Sequence, residues 1–232
     1  MSWAHELRAV LFDVDFTLAR PGPELGPEGY VRAGERHGLR LEAARYEEAR
    51  DAALVDLRRH PELEHDDEIW FRFTERIVRG MGGDADSAYD CAIEITRGWE
   101  RHENFELYDD VVPVLDALRR AGLKIGLVSN SARDVHAFAR HHALEIDAGI
   151  SSFHHGKTKP HASIFRAVLD LLGVAPTEAA MVGDTAHDVG MARAADLPVF
   201  AVTYGAHDRA TLAAARPTAI VDTFRELAQH LG

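Results

Sequence analysis

The chain has 232 residues, 46% hydrophobic and 28% charged, which is the balance of an ordinary soluble globular protein with one core and room for one insertion. Its formal charge of −12, from 26 basic and 38 acidic residues, argues against nucleic acid as the main partner, because phosphate backbones recruit net positive surfaces. The single cysteine, Cys91, rules out an intramolecular disulfide, and no run approaches the ~20 apolar residues of a membrane span. With no basic and apolar regions of a signal peptide over residues 1–6, the expected location is cytoplasmic.

The first apolar run, Ala9–Phe12, stops at Asp13 and predicts a strand. Pro21-Gly22-Pro23 and Gly26-Pro27 then break the chain. Helical patterns follow over 28–37, 42–59, 66–80 and 84–101, with no plausible strand over residues 20–104, so this stretch is expected to be an all-helical insertion. Within it, the acidic cluster over residues 62–68 predicts a solvated helix start. Trp70, Phe71 and Phe73 are expected to pack a small helical core, and Cys91 to be a buried small hydrophobe.

From about residue 105 strands and helices alternate. A helix over 110–121 carries Val111, Val114, Leu115 and Leu118 at helical spacing and closes on Gly122. The run 124–128 ends in Ser129-Asn130, a shorter strand is expected over 149–153, and a helix over 161–172 is again followed by a glycine, Gly173. Run 179–182 ends in Gly183-Asp184, and run 198–202 in Thr203-Tyr204-Gly205. Further helices are expected over 187–195, 207–215 and 223–231. Continuous apolarity in the four main runs marks strands covered on both faces. The fold class is therefore α/β, a parallel sheet flanked by helices, built from residues 1–19 and 105–232.

Ligands of open α/β sheets bind outside the carboxyl ends of the strands. One crevice would thus collect Asp13, Asp15 and Thr17 after the first strand, Ser129 and Asn130 after the second, and Asp184 after another. Three carboxylates crowded together call for a hard cation, Mg²⁺ first. An anion would find the N-terminus of a helix starting near Ala132. It would also find a lysine: the chain has three, Lys124, Lys157 and Lys159, and two of them fall just before the helix at 161.

These residues carry a resemblance. Asp13-Val14-Asp15-Phe16-Thr17 resembles the first motif of the haloacid dehalogenase superfamily. Ser129-Asn130 is similar to its second motif, Lys159-Pro160 to its third, and Gly183-Asp184-Thr185-Ala186-His187-Asp188 to its fourth. All four stand in the family's order, and the insertion over 20–104 lies where that family places a C1-type cap. The resemblance implies a Rossmann-like core and a phosphoryl transfer through an aspartyl phosphate. In it Asp13 is the nucleophile and Asp15 the acid and then the base. Mg²⁺ would be held by the carboxylates of Asp13 and Asp184 and by the backbone carbonyl of Asp15. Asp188 would support the metal or orient Lys159, while Ser129 and Lys159 stabilise the phosphoryl group.

Thr17, Asn130 and Arg20 join Ser129 and Lys159 as expected substrate-binding residues, for a small phosphorylated metabolite. Neither nucleic acid nor membrane is an expected partner, and both a monomer and a homodimer remain open. Haloacid dehalogenases lack an acid two residues after the nucleophile, so Asp15 favours a phosphatase over a dehalogenase, and Thr17 favours it over a phosphomutase. A catalytically idle binding or regulatory relative is the alternative of a different class. One departure from the family pattern is Phe16, which stands where many relatives have glycine or another smaller residue.

Overall fold

A computed structural model describes residues 7–57, 67–84 and 87–231. Residues 1–6, and the acidic cluster as far as residue 66, lie outside the described residues. The chain divides into two compact units. One runs up to Arg20 and resumes at Leu107; the other is Pro21–Glu106. The first crossing lies in strand β2 (Ala19–Pro21) and the second in β3 (Phe105–Leu107), and these two short strands pair with each other. Arg20 and Pro21 are therefore extended rather than part of an all-helical stretch. A three-residue strand ending in proline, which lacks the N–H of a continuing ladder, leaves no periodicity to read.

The discontinuous unit is a six-stranded parallel sheet. Its strands are β1 (Ala9–Phe12), β4 (Lys124–Ser129), β5 (Ala148–Ser151), β6 (Ala179–Gly183), β7 (Val199–Val202) and β8 (Ala219–Val221), in the order β5-β4-β1-β6-β7-β8. The strand expected over 149–153 ends at Ser151, because Ser152–His155 turns into the short helix α7. Only three residues long, β8 carried too little pattern to be anticipated.

Burial on both faces explains the unbroken apolar runs: every residue of β1, β6 and β7 is buried. One face is covered by α8 (Ala162–Leu172) and α9 (Ala186–Ala194), which pack Ile164, Phe165, Val168 and Val189 against Leu11, Val128 and Met181. Successive strand residues alternate in direction, so Phe12 points to the opposite face, where its ring lies 5.6 Å from that of Phe224. The flanking helices there include α5 (Val111–Arg120), α6 (Val135–His141) and α11 (Leu227–Leu231); α10 (Arg209–Ala215) follows β7.

The register aligns the strand ends. Phe12 is opposite Leu127 on β4 and Val182 on β6, so Asp13, Ser129 and Asp184 emerge at the same edge of the three central strands.

The second unit holds α1 (Pro27–Arg36), α2 (Tyr46–Leu57), α3 (Asp67–Gly80) and α4 (Ser87–Trp99). Its core contains Tyr30, Leu41, Ile77, Val78, Met81, Cys91 and Ile95, with Phe73 packed at its margin. Trp70 touches Phe73 edge-on but is 39% exposed, so it does not complete that core.

Gly126 sets the distance between sheet and helix. A Cβ there would lie 2.4 Å from Leu11 Cδ2, 3.0 Å from Val168 Cγ1 and 3.1 Å from Leu172 Cδ1, crowding both β1 and α8. Gly126→Ala is expected to lower unfolding stability by about 1–3 kcal/mol in denaturant titration. Gly190, in α9 with nothing within 4 Å of its added Cβ, provides the opposite sign: Gly190→Ala should stabilise by up to ~1 kcal/mol.

Candidate active site

Asp13 follows β1 directly; its N–H continues the ladder to Val182 O at 2.9 Å, and its side chain is buried. Asp184 directly follows β6, and Asp188 stands in the first turn of α9. Asp13, Asp184 and Asp188 each offer an oxygen within 4.8 Å of the others, and all three are buried. Lys159 reaches into this group, with Nζ 2.5 Å from Asp13 Oδ1 and 2.9 Å from Asp188 Oδ1. The ionised cluster would hold three negative charges against one positive.

Burial first, and that imbalance with it, sets the proton affinities. Burial pushes the Asp13 carboxyl well above the usual carboxylate range; Lys159 opposes the shift, and Asp188 and Asp184 add to it. Burial and the nearby Asp188 push Asp184 up to about 6. Burial disfavours the Lys159 ammonium, but Asp13 and Asp188 outweigh it and raise its pKa. Asp188 Oδ1 is buried and has no hydrogen bond of good geometry, although Lys159 Nζ is its ion-pair partner. A second cation is the group this donor set lacks, and oxygen donors alone suit a hard one.

The surrounding backbone is shaped to these carboxylates. Asp184 accepts from Ala206 N at 2.6 Å and from Thr17 Oγ1 at 3.2 Å. A Cβ on Gly205 would stand 2.3 Å from Asp184 Cβ, so the loop after β7 approaches as only glycine allows. Asp188 Oδ2 accepts from Thr185 N at 3.1 Å and from Thr185 Oγ1 at 2.5 Å, while Thr185 Oγ1 in turn accepts from Asp188 N: a capping box at the start of α9. Thr17, expected to meet substrate, is fully buried and instead donates to Asp184; its carbonyl accepts from Tyr204 OH at 2.9 Å.

Asn130, expected to bind substrate, is tied to Lys159. Its Oδ1 accepts from Lys159 N at 2.7 Å and its Nδ2 donates to Lys159 O at 3.1 Å, so the amide clamps the lysine's backbone from both sides. The Lys159-Pro160 peptide is cis. Ser129, fully buried at the end of β4, donates to Ser131 Oγ at 2.9 Å and lies 3.5 Å from Asp15 Oδ2.

The anion site expected at a helix near Ala132 is absent in that form. Helix α6 starts three residues later, at Val135, and Asp134 caps it by accepting from His136 N at 2.8 Å and Ala137 N at 3.1 Å. A carboxylate already occupies those free N–H groups.

Asp15 is outside the three-acid cluster, and its Oδ1 is paired with the buried guanidinium of Arg133. Arg20 is exposed, its guanidinium 5.8 Å from the centre of the Tyr108 ring. Between Asp15 and Thr17 the chain turns through Phe16 at φ 61°, a left-handed conformation that is costly for a residue with a bulky side chain.

Sequence reasoning missed Arg133, Tyr204 and the Ala206 N–H. No motif marks the first two, and a backbone donor has no residue type to read.

A family model for haloacid dehalogenase-like hydrolases matches residues 7–196. The chain belongs to this family. A phosphoglycolate phosphatase from Rhodospirillum rubrum is 34% identical over 130 residues, covering 54% of this chain and 53% of that protein. The chain thus spans about half the length of the phosphoglycolate phosphatase it matches in this way. A glyceraldehyde 3-phosphate phosphatase from Methanopyrus kandleri is 28% identical over 96% of this chain and 99% of its own. Among solved structures, a predicted phosphoglycolate phosphatase from Haemophilus somnus 129PT superposes with a TM-score of 0.70 at 19% identity, covering 98% of this chain and 99% of that one, which shows the shared fold. Among the described residues no helix is long and apolar enough to cross a membrane.

The raised Asp184 pKa has a consequence for stability. Between the ordinary value of 3.8 and about 6, the folded metal-free chain holds a proton that the unfolded chain has lost. Its contribution therefore weakens as pH rises through that window. With a chelator present, unfolding stability followed from pH 4 to 7 should fall more steeply for the wild type than for Asp184→Asn, which carries no titrating carboxyl there.

Proposed function

We propose that this haloacid dehalogenase-like hydrolase is a Mg²⁺-dependent phosphatase acting on small phosphate monoesters through an aspartyl phosphate on Asp13. The observation that carries this reading is the separation of two aspartates two residues apart: Asp13 lies among Asp184, Asp188 and Lys159, whereas Asp15 faces Ser129 and Arg133. This separation supports one carboxylate for metal and nucleophilic work and the other for proton transfer.

Asp13, Asp184 and Asp188, with the Asp15 carbonyl, would hold Mg²⁺, which supplies the positive charge that offsets repulsion between a phosphate and the Asp13 carboxylate. In the first step an Asp13 oxygen attacks phosphorus. The new O–P bond forms as the bond to the substrate's alcohol oxygen breaks, and Asp15 delivers a proton to that leaving oxygen. In the second step Asp15 takes a proton from water as the water oxygen attacks phosphorus. This releases inorganic phosphate and restores the Asp13 carboxylate. Ser129 and Lys159 bind phosphoryl oxygens and stabilise their charge, with Asn130 and Asp188 holding Lys159 in place. The helical unit Pro21–Glu106 takes the role of the cap that selects small substrates. The relatives' names point to short phosphorylated acids and aldehydes as the first compounds to try.

The test is a screen of sugar phosphates, nucleotides and short phospho-acids, reading released phosphate with Mg²⁺ and again with EDTA. Turnover should require the metal, and Asp13→Asn should abolish it while the melting transition stays cooperative. Full activity in that variant would remove Asp13 as nucleophile. No activity on any ester would favour an idle relative, and halide release from 2-haloacids a dehalogenase.

A further inference from the structure

Arg133 is a buried arginine that the assigned chemistry leaves without a task. Its guanidinium is paired with Asp15 Oδ1 and lies 5.8 Å from the centre of the Phe138 ring, itself fully buried in α6. Burying a guanidinium is expensive unless it meets an anion, so a side chain only 3% exposed at this place marks a built contact rather than a surface pair.

We propose that Arg133 is a positioning residue that fixes the Asp15 carboxyl through Oδ1 and thereby reserves Oδ2 for proton transfer. An arginine stays protonated at any working pH and offers only donors. The oxygen it binds must therefore act as an acceptor whether Asp15 is the acid or the carboxylate. The proton delivered to the leaving oxygen, and the proton taken from water afterwards, both pass through Oδ2. That atom lies on the Ser129 side, 3.5 Å from Ser129 Oγ, where the phosphoryl group is proposed to bind. The fixed orientation lets one carboxyl serve both half-reactions without rotating, which is what a proton donor held within hydrogen-bond reach requires.

This inference rests on the proposed phosphatase reading, and one experiment separates the two. Rapid-quench release of the leaving group is followed for a series of phosphate esters, from p-nitrophenyl phosphate to simple alkyl phosphates, in the wild type, Arg133→Met, Arg133→Lys and Asp15→Asn. An acidic phenol leaves with little help, whereas an alkoxide needs the proton. Arg133→Met should lose about 10²-fold on alkyl esters, and only a few-fold on the nitrophenyl ester, so the rate depends more steeply on leaving-group acidity. Arg133→Lys should fall between it and the wild type. The double variant Arg133→Met/Asp15→Asn should be no slower than Asp15→Asn alone.

An equal loss across the series would mean a merely structural role and would overturn the assignment, as would unchanged or faster rates. If Arg133→Met does not fold, Arg133→Lys decides by the same slope. A wild type that releases no leaving group from any ester refutes the phosphatase reading itself, independently of Arg133.

Discussion

Three buried carboxylates gathered around one ammonium are the constraint on which the rest of the site depends. Burial is the main cause of the upward shifts at Asp13 and Asp184, and the negative charge crowded around Lys159 adds to it. Hydrophobic packing would favour excluding such a cluster from the interior. It persists because its members are tied down: Asp184 by Ala206 N–H and Thr17, Asp188 by Thr185, and Lys159 by the Asn130 amide. The charge imbalance is what makes the place fit for a divalent cation.

The sheet sets these residues side by side. Parallel strands in matched register end at a common level, so residues separated by more than a hundred positions become neighbours without any long loop. Close packing fixes the level. Gly126 lets α8 approach β4, and Gly205 lets the loop after β7 close on Asp184. The turn after β1 bears the local cost, since Phe16 is held left-handed between the two aspartates that must face in different directions.

The separation of the Asp13 and Asp15 side chains follows from that turn. One side chain enters the acidic cluster and shares Lys159 with it, and the other meets Arg133 and Ser129, so two chemically identical groups sit in different surroundings.

Sequence alone determined the α/β class, the four main strands and the residues that terminate three of them, because doubly covered strands must be continuously apolar and polar residues mark where they reach the ligand edge. It also placed Asp13, Asp15, Ser129, Lys159, Asp184 and Asp188 in ordered motifs. Tertiary structure decided what those motifs do to one another. Thr17 and Asn130 read as ligand-facing residues, yet their hydrogen bonds go to Asp184 and to the Lys159 backbone. The helix expected at Ala132 begins at Val135, since Asp134 is the better cap. Arg133 carried no signal because its partner is 118 residues away. Hydrogen-bond direction and long-range charge pairing depend on three-dimensional proximity, which residue type and spacing do not encode.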